Sequence, residues 1–194
     1  MTIASADASI PSKTSPQRFD GITIAFHWIT AVLVLALFSS ALIWQQAPRD
    51  LGWRRPLESL HISLGILLAI AIVGRLLWRL LPGRRLPAAN RGIQHLLSQA
   101  MHLALYALLV AQVGLGFTLR WFQGEEFSFF GLFSIPALIG TNEGLERTVE
   151  NLHNLTAWTI IYLVAGHAGA ALFHHYWVKD GVLARMMPAW RERA

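Results

Sequence analysis

The chain has 194 residues, 54% of them apolar and 14% charged, with a formal net charge of +5 and no cysteine. That length suits one domain, but the composition is not that of a soluble one. The missing cysteine excludes disulfides, Cys-x-x-Cys-His attachment and cysteine-ligated iron–sulfur clusters.

The chain opens on MTIASADASIPSKTSPQ, residues 1–17. This segment has no apolar h-region, so it does not read as a signal peptide, and its Ser, Ala and Pro content predicts a disordered tail. Four charge-free runs follow: Ile22–Trp44, Ser59–Gly74, Gly92–Leu119 and Asn151–Val178. A helix needs about 20 mostly apolar residues to cross the hydrocarbon core. Three runs exceed that, and the second extends through Leu80 and Leu81 past Arg75 and Arg79. The expected spans are 22–44, 58–81, 95–119 and 151–177. No run carries the polar stripe of a soluble bundle helix. The fold class is therefore all-α, a transmembrane four-helix bundle. It forms a single domain over 18–188, because the 82–92 loop is too short to separate two. Residues 189–194 form a short C-terminal end.

Four spans put both termini on one side. That side receives eleven of the 16 Lys and Arg residues, and the other receives five. The positive-inside rule then predicts cytoplasmic termini. Because the basic residues flank spans, topology accounts for them and no nucleic-acid partner is expected. Lipid is the expected surroundings. On the outer side, residues 120–150 contain FSFFGLFSIPALIG, apolar but interrupted by Gly131, Pro136 and Gly140. Two readings fit: a flap over the outer end of the bundle, or a membrane-surface anchor.

Ionisable residues inside spans are expensive and point to function. The chain has eight histidines, all in or beside the spans. Span direction sorts them by depth. His61 and His153 both fall near the outer side. His27 and His167 both fall nearer the cytoplasm. His153 and His167 are fourteen residues apart on one helix, which places them within about 40° of one face and about 21 Å apart along the axis. Two imidazoles at one depth can bind a metal axially from both sides. Haem b suits such a gap, and two bis-histidine haems b, filling both axial positions, favour electron transfer over oxygen binding. A di-iron or zinc site needs histidines and carboxylates clustered at one depth, and here the carboxylates lie in loops. Single intramembrane histidines also serve as interhelical glue. No catalytic residue is expected beyond the iron ligands.

Arg75 follows His61 by fourteen residues. It either forks onto a haem propionate or snorkels to the interface. Gly65, Gly114, Gly116, Gly166 and Gly169 make room for a flat ring or for helix packing. His174 lies seven residues beyond His167. It reads as a quinone ligand, or as the inner iron ligand in place of His167. His95 and His102 share a face of the third span and are weaker quinone candidates, and His175 reads as interfacial.

RFDGITIAFHW, HISLGILLAIAIVGRLLWR and LHNLTAWTIIYLVAGHAGAALFHHYWVKDGVLARMMP together resemble the bacterial cytochrome b561 family over about 18–188. Within it, the chain looks like the short stand-alone members that act as superoxide oxidase. That resemblance implies a protein of the bacterial inner membrane with two haems b on His27, His61, His153 and His167. It also implies electron flow from superoxide through the outer and inner haems to ubiquinone beside His174. The outer loops carry five basic and seven acidic residues, which opposes an anionic substrate unless Arg54, Arg55 and Arg120 make a local positive mouth. The alternative is a dihaem electron-transfer subunit of a hydrogenase- or dehydrogenase-type complex, fed by a periplasmic partner that docks on 120–150.

Overall fold

The first helix begins at a side chain that can cap it. In the computed structural model, which describes residues 18–48, 50–81, 86 and 92–188, Asp20 precedes α1 (Gly21–Gln46). Its Oδ1 accepts from the Thr23 N–H at 2.9 Å and its Oδ2 from Thr23 Oγ1 at 2.6 Å. This satisfies a backbone donor that a helix start otherwise leaves open. The same carboxylate accepts from the Trp78 indole N–H at 3.2 Å. That bond ties the start of α1 to the end of α2 (Arg54–Leu80) and makes the two antiparallel.

α3 runs from Ile93 to Phe122 and α4 from Glu143 to Phe173. α4 continues into a π-helical turn, His174–Val178, and a 3₁₀ turn follows at Leu183–Met186. That last segment folds back onto α1: Trp28 Nε1 donates to the Met186 carbonyl at 2.9 Å, and Phe19 N–H to the Arg185 carbonyl at 3.1 Å. Both ends of the described chain thus share one end of the bundle, called here the terminal end.

All four helices are long and apolar enough to cross a membrane. Leu103 is 72% exposed and Tyr162 69%. In water such surfaces would be liabilities, but on a bilayer-spanning helix they face lipid. Inside, Leu33, Val34, Leu68, Ala71, Ile72, Leu109 and Ile160 form one apolar core drawn from every helix. α1 and α2 approach closely because Gly74 has no side chain: a Cβ there would stand 2.9 Å from two ring carbons of Phe26.

The helices outrun the charge-free segments that announced them. α4 starts eight residues earlier than expected, at an Asn142 cap whose side chain accepts from Leu145 N–H at 3.1 Å. Its first turns, EGLERTVE, are helical but polar, so hydropathy alone passes over them. The expected 120–150 flap accordingly shrinks to the segment between α3 and α4. It folds into a hairpin of β1 (Phe127–Phe129) and β2 (Phe133–Ile135), with Phe127 opposite Ile135. The hairpin is pinned to α2, where Phe130 N–H donates to the buried Ser63 Oγ at 3.0 Å. Phe127 is buried against Phe117 and Trp121. Outward, Leu132 and Leu138 are exposed, so the segment covers the bundle end and leaves apolar side chains on its outer surface. The expected 1–17 tail, most of the 82–92 loop and the 189–194 end lie outside the described residues.

Candidate cofactor sites between the helices

Each helix contributes at least one polar side chain at each of two depths. Toward the hairpin end these are Ser40 on α1, His61 on α2, Gln112 on α3 and His153 on α4. Toward the terminal end they are His27, Arg75, His102 and His167. The apolar core cluster lies between the two layers in every helix.

In the hairpin-end layer, His61 and His153 line one cavity of about 370 Å³, within the usual range of ligand pockets. Val34, Leu68, Leu109 and Ile160 form part of its wall, and Arg54, Glu58, Arg120 and Gln123 also line it. Ser40 Oγ is 3.0 Å from His61 Nδ1, and Gln112 Nε2 is 3.1 Å from His153 Nε2. Among the described residues, four cavity-lining side chains carry a buried polar atom without a hydrogen-bond partner: His153 Nδ1, Gln112 Oε1, Trp44 Nε1 and Arg120 Nε. Buried polar atoms rarely stay unpaired in a complete structure. Two glycines leave space beside the imidazoles. A Cβ at Gly65 would meet nothing within 4 Å, and one at Gly116 would stand 3.2 Å from His153 Cε1. Both glycines line the cavity, whereas Gly114, Gly166 and Gly169 do not.

In the terminal-end layer, the His27 and His167 rings lie 6.3 Å apart, centroid to centroid. His102 stands 5.5 Å from His167, a neighbour that depth alone did not single out as a partner. The Arg75 guanidinium sits 5.0 Å over the Tyr106 ring, with Arg79 5.7 Å from the same ring. Arg75 also interacts electrostatically with His27, His102 and His167, so it faces the imidazole layer as well as the Tyr106 ring.

His174 opens the π-helical turn and bonds Asp180 through Nδ1 at 2.5 Å. Burial alone would raise the Asp180 carboxyl, but the hydrogen bonds from His174 and the Val182 N–H outweigh it and hold the group below its ordinary value. His95 is half-buried near the start of α3, two turns from His102. His175 is exposed beside Tyr176. At the hairpin end, Arg120 pairs with Glu58 at 2.8 Å and with Glu125. The Arg54 side chain donates to the Ala47 carbonyl at 2.8 Å and lies over Trp44. The expected three-arginine positive mouth is therefore partly neutralised.

Ser40, Gln112 and Asp180 were not among the residues singled out by sequence. The first two are polar positions inside charge-free spans. Sorting every polar residue by depth, and not the ionisable ones alone, would have found them.

Four membrane-length helices with imidazoles at two depths define a multi-pass membrane protein of the b-type cytochrome class. The chain matches the prokaryotic cytochrome b561 family over residues 18–189 and belongs to it. It is therefore a membrane electron-transfer protein of an oxidoreductase-type, haem b-binding family. It is 35% identical over 175 residues to cytochrome b561 homolog 2 of Escherichia coli (strain K12), covering 89% of this chain and 93% of that one. To cytochrome b561 homolog 1 of the same organism it is 30% identical over 173 residues, covering 89% and 98%. To the probable superoxide oxidase CybB of Yersinia pestis it is 29% identical over 176 residues, covering 90% and 98%.

The residues present fit haem b. Two imidazoles bonded to one metal from opposite sides, at about 2 Å per bond, hold their centroids about 6 Å apart. The His27–His167 spacing of 6.3 Å meets that requirement. The hairpin-end layer offers the orphaned polar atoms, the cavity and the glycine cradle that a large, mostly apolar ring with a polar edge needs. Among the described residues no three His, Cys, Asp or Glu side chains converge as a metal cluster, so imidazole pairs are the donor sets on offer.

Proposed function

We propose that the chain holds two haems b, one in each layer, and carries electrons from superoxide at the hairpin end to ubiquinone at the terminal end. The repeated four-helix polar layer, with a histidine pair at each depth, carries this reading. When bound, haem b supplies a reversible one-electron ferric–ferrous couple. His61 and His153 would hold the outer haem, and His27 and His167 the inner one. Held by an imidazole pair, each would serve one-electron transfer. The core between the layers keeps water from the path. Arg75, facing the inner layer, is placed to fork onto a propionate.

At the terminal end, Asp180 orients His174 so that its Nε2 is free for a quinone carbonyl. His102 and His95 supply the further quinone contacts. Two superoxide ions each lose one electron and leave as dioxygen, while ubiquinone gains two electrons and two protons to become ubiquinol. By the positive-inside rule, the Lys and Arg distribution of the sequence supports a cytoplasmic terminal end and a periplasmic hairpin in a bacterial inner membrane. The relative named a probable superoxide oxidase, matched along 98% of its length, supports the choice of donor.

The neutralised Arg120 and the acidic outer loops favour a second reading, in which a periplasmic partner protein feeds the outer haem. Stopped-flow mixing of the purified oxidised chain with superoxide separates the two. Haem reduction, reversed by added ubiquinone, fits the enzyme. No reduction sinks it in favour of the partner-fed subunit.

A further inference from the structure

Ser40 has one hydroxyl hydrogen and two neighbours. Its Oγ stands 2.8 Å from the Leu37 carbonyl oxygen and 3.0 Å from His61 Nδ1. A carbonyl can only accept, so the hydroxyl must be the donor in the first contact. The second contact is then a hydrogen bond only if His61 carries its proton on Nδ1 and donates it to Oγ, and the Leu37 carbonyl, which also interacts with His61, favours the same proton position. The opposite assignment turns the hydroxyl toward Nδ1. It keeps one bond in place of two and leaves an Nε2–H directed into a mainly apolar cavity. Ser40 is 6% exposed, so water cannot make up the difference, and an unmade bond of a buried polar group costs on the order of 1–3 kcal/mol.

From this geometry we infer that Ser40 is a positioning residue: it fixes the Nδ1–H tautomer of His61 and turns the Nε2 lone pair toward the cavity. The inference rests on the reading of His61 as an iron ligand and adds to it the group that prepares the ligand. Partners on the far nitrogen of a metal-bound histidine set its ring orientation and raise its basicity. The device is asymmetric. Among the described residues, His27 has ring neighbours, Trp28 and His167, but no side-chain hydrogen bond. The outer haem should therefore have its ferric state favoured relative to the inner one by this contact.

The test compares Ser40→Thr with Ser40→Val in the haem-loaded protein. The two side chains have nearly the same shape, so only the hydroxyl differs. Potentiometric titration followed in the α bands reads each haem, and haem transfer to apomyoglobin reads retention. Ser40→Thr should match wild type. Ser40→Val should raise the midpoint of the outer haem, leave the inner midpoint in place, and release the outer haem about 10–100-fold faster. An outer haem with the same midpoint and release in both variants overturns the inference, as does a shift confined to the inner haem. His61→Ala runs alongside. If it keeps two haems, the ligand reading fails and this inference falls with it. If it loses one haem while Ser40→Val behaves as Ser40→Thr, the role of Ser40 alone is refuted.

Discussion

His27 on α1 and His167 on α4 stand opposite each other with ring centroids 6.3 Å apart. His102 on α3 also stands beside His167, at 5.5 Å, but the proposed inner pair is His27 with His167. Replacing His27 or His167 by Ala should therefore leave one haem per chain, and His102→Ala should leave two. His61→Ala and His153→Ala should remove the other haem. Pyridine haemochrome content per protein measures this. If His167→Ala kept two haems while His174→Ala lost one, the inner pair would be wrongly assigned.

Gly65 and Gly74 lie on the same helix with opposite surroundings. Gly65→Leu adds bulk where a Cβ meets nothing, inside the outer cavity. It should give a folded protein with normal helical circular dichroism and one haem. Gly74→Ala drives a methyl toward Phe26. It should keep both haems and lower stability by about 1–3 kcal/mol, read by thermal unfolding in detergent.

Asp20 and Asp180 set the acid limit of the terminal end. Burial alone would raise both, but hydrogen bonds outweigh it: Thr23 and Trp78 on Asp20, His174 and Val182 on Asp180. Both folded values lie below the ordinary 3.8. A depressed carboxylate contributes stability that is complete above its unfolded value and lost as pH falls through the folded one. The Asp20→Asn, Asp180→Asn double variant should lose less unfolding temperature than wild type between pH 5 and the acid limit. An identical pH profile would contradict this.

Much of this was legible in residue order. The spans are charge-free runs, and the depth of each histidine follows from span direction. The early start of α4 was not legible, because its first turns are charged and look like loop. Nor were the three-residue strands, too short to display a two-residue alternation in an apolar stretch. Contacts such as Arg120 with Glu58 and His102 with His167 depend on how the helices are rotated against one another. The spacing within a single helix does not fix that rotation.

Arg55 is exposed at the hairpin end, and Arg120 is already paired. If superoxide approaches there, Arg55→Glu should slow haem reduction about tenfold at low ionic strength through lost steering. The effect should fade near 1 M salt, where the screening length is about 3 Å. An effect that does not depend on salt would point to a structural cause.

The most direct test of a transmembrane electron path uses the single-haem variants in stopped flow with superoxide and ubiquinone. His27→Ala, retaining only the outer haem, should be reduced by superoxide at the wild-type rate and then reoxidised slowly by ubiquinone. His61→Ala, retaining only the inner haem, should react poorly with superoxide and, once reduced by dithionite, pass electrons to ubiquinone as wild type does. If His61→Ala is reduced by superoxide as fast as wild type, or His27→Ala is reoxidised as fast, electrons do not travel from the His61–His153 layer to the His27–His167 layer.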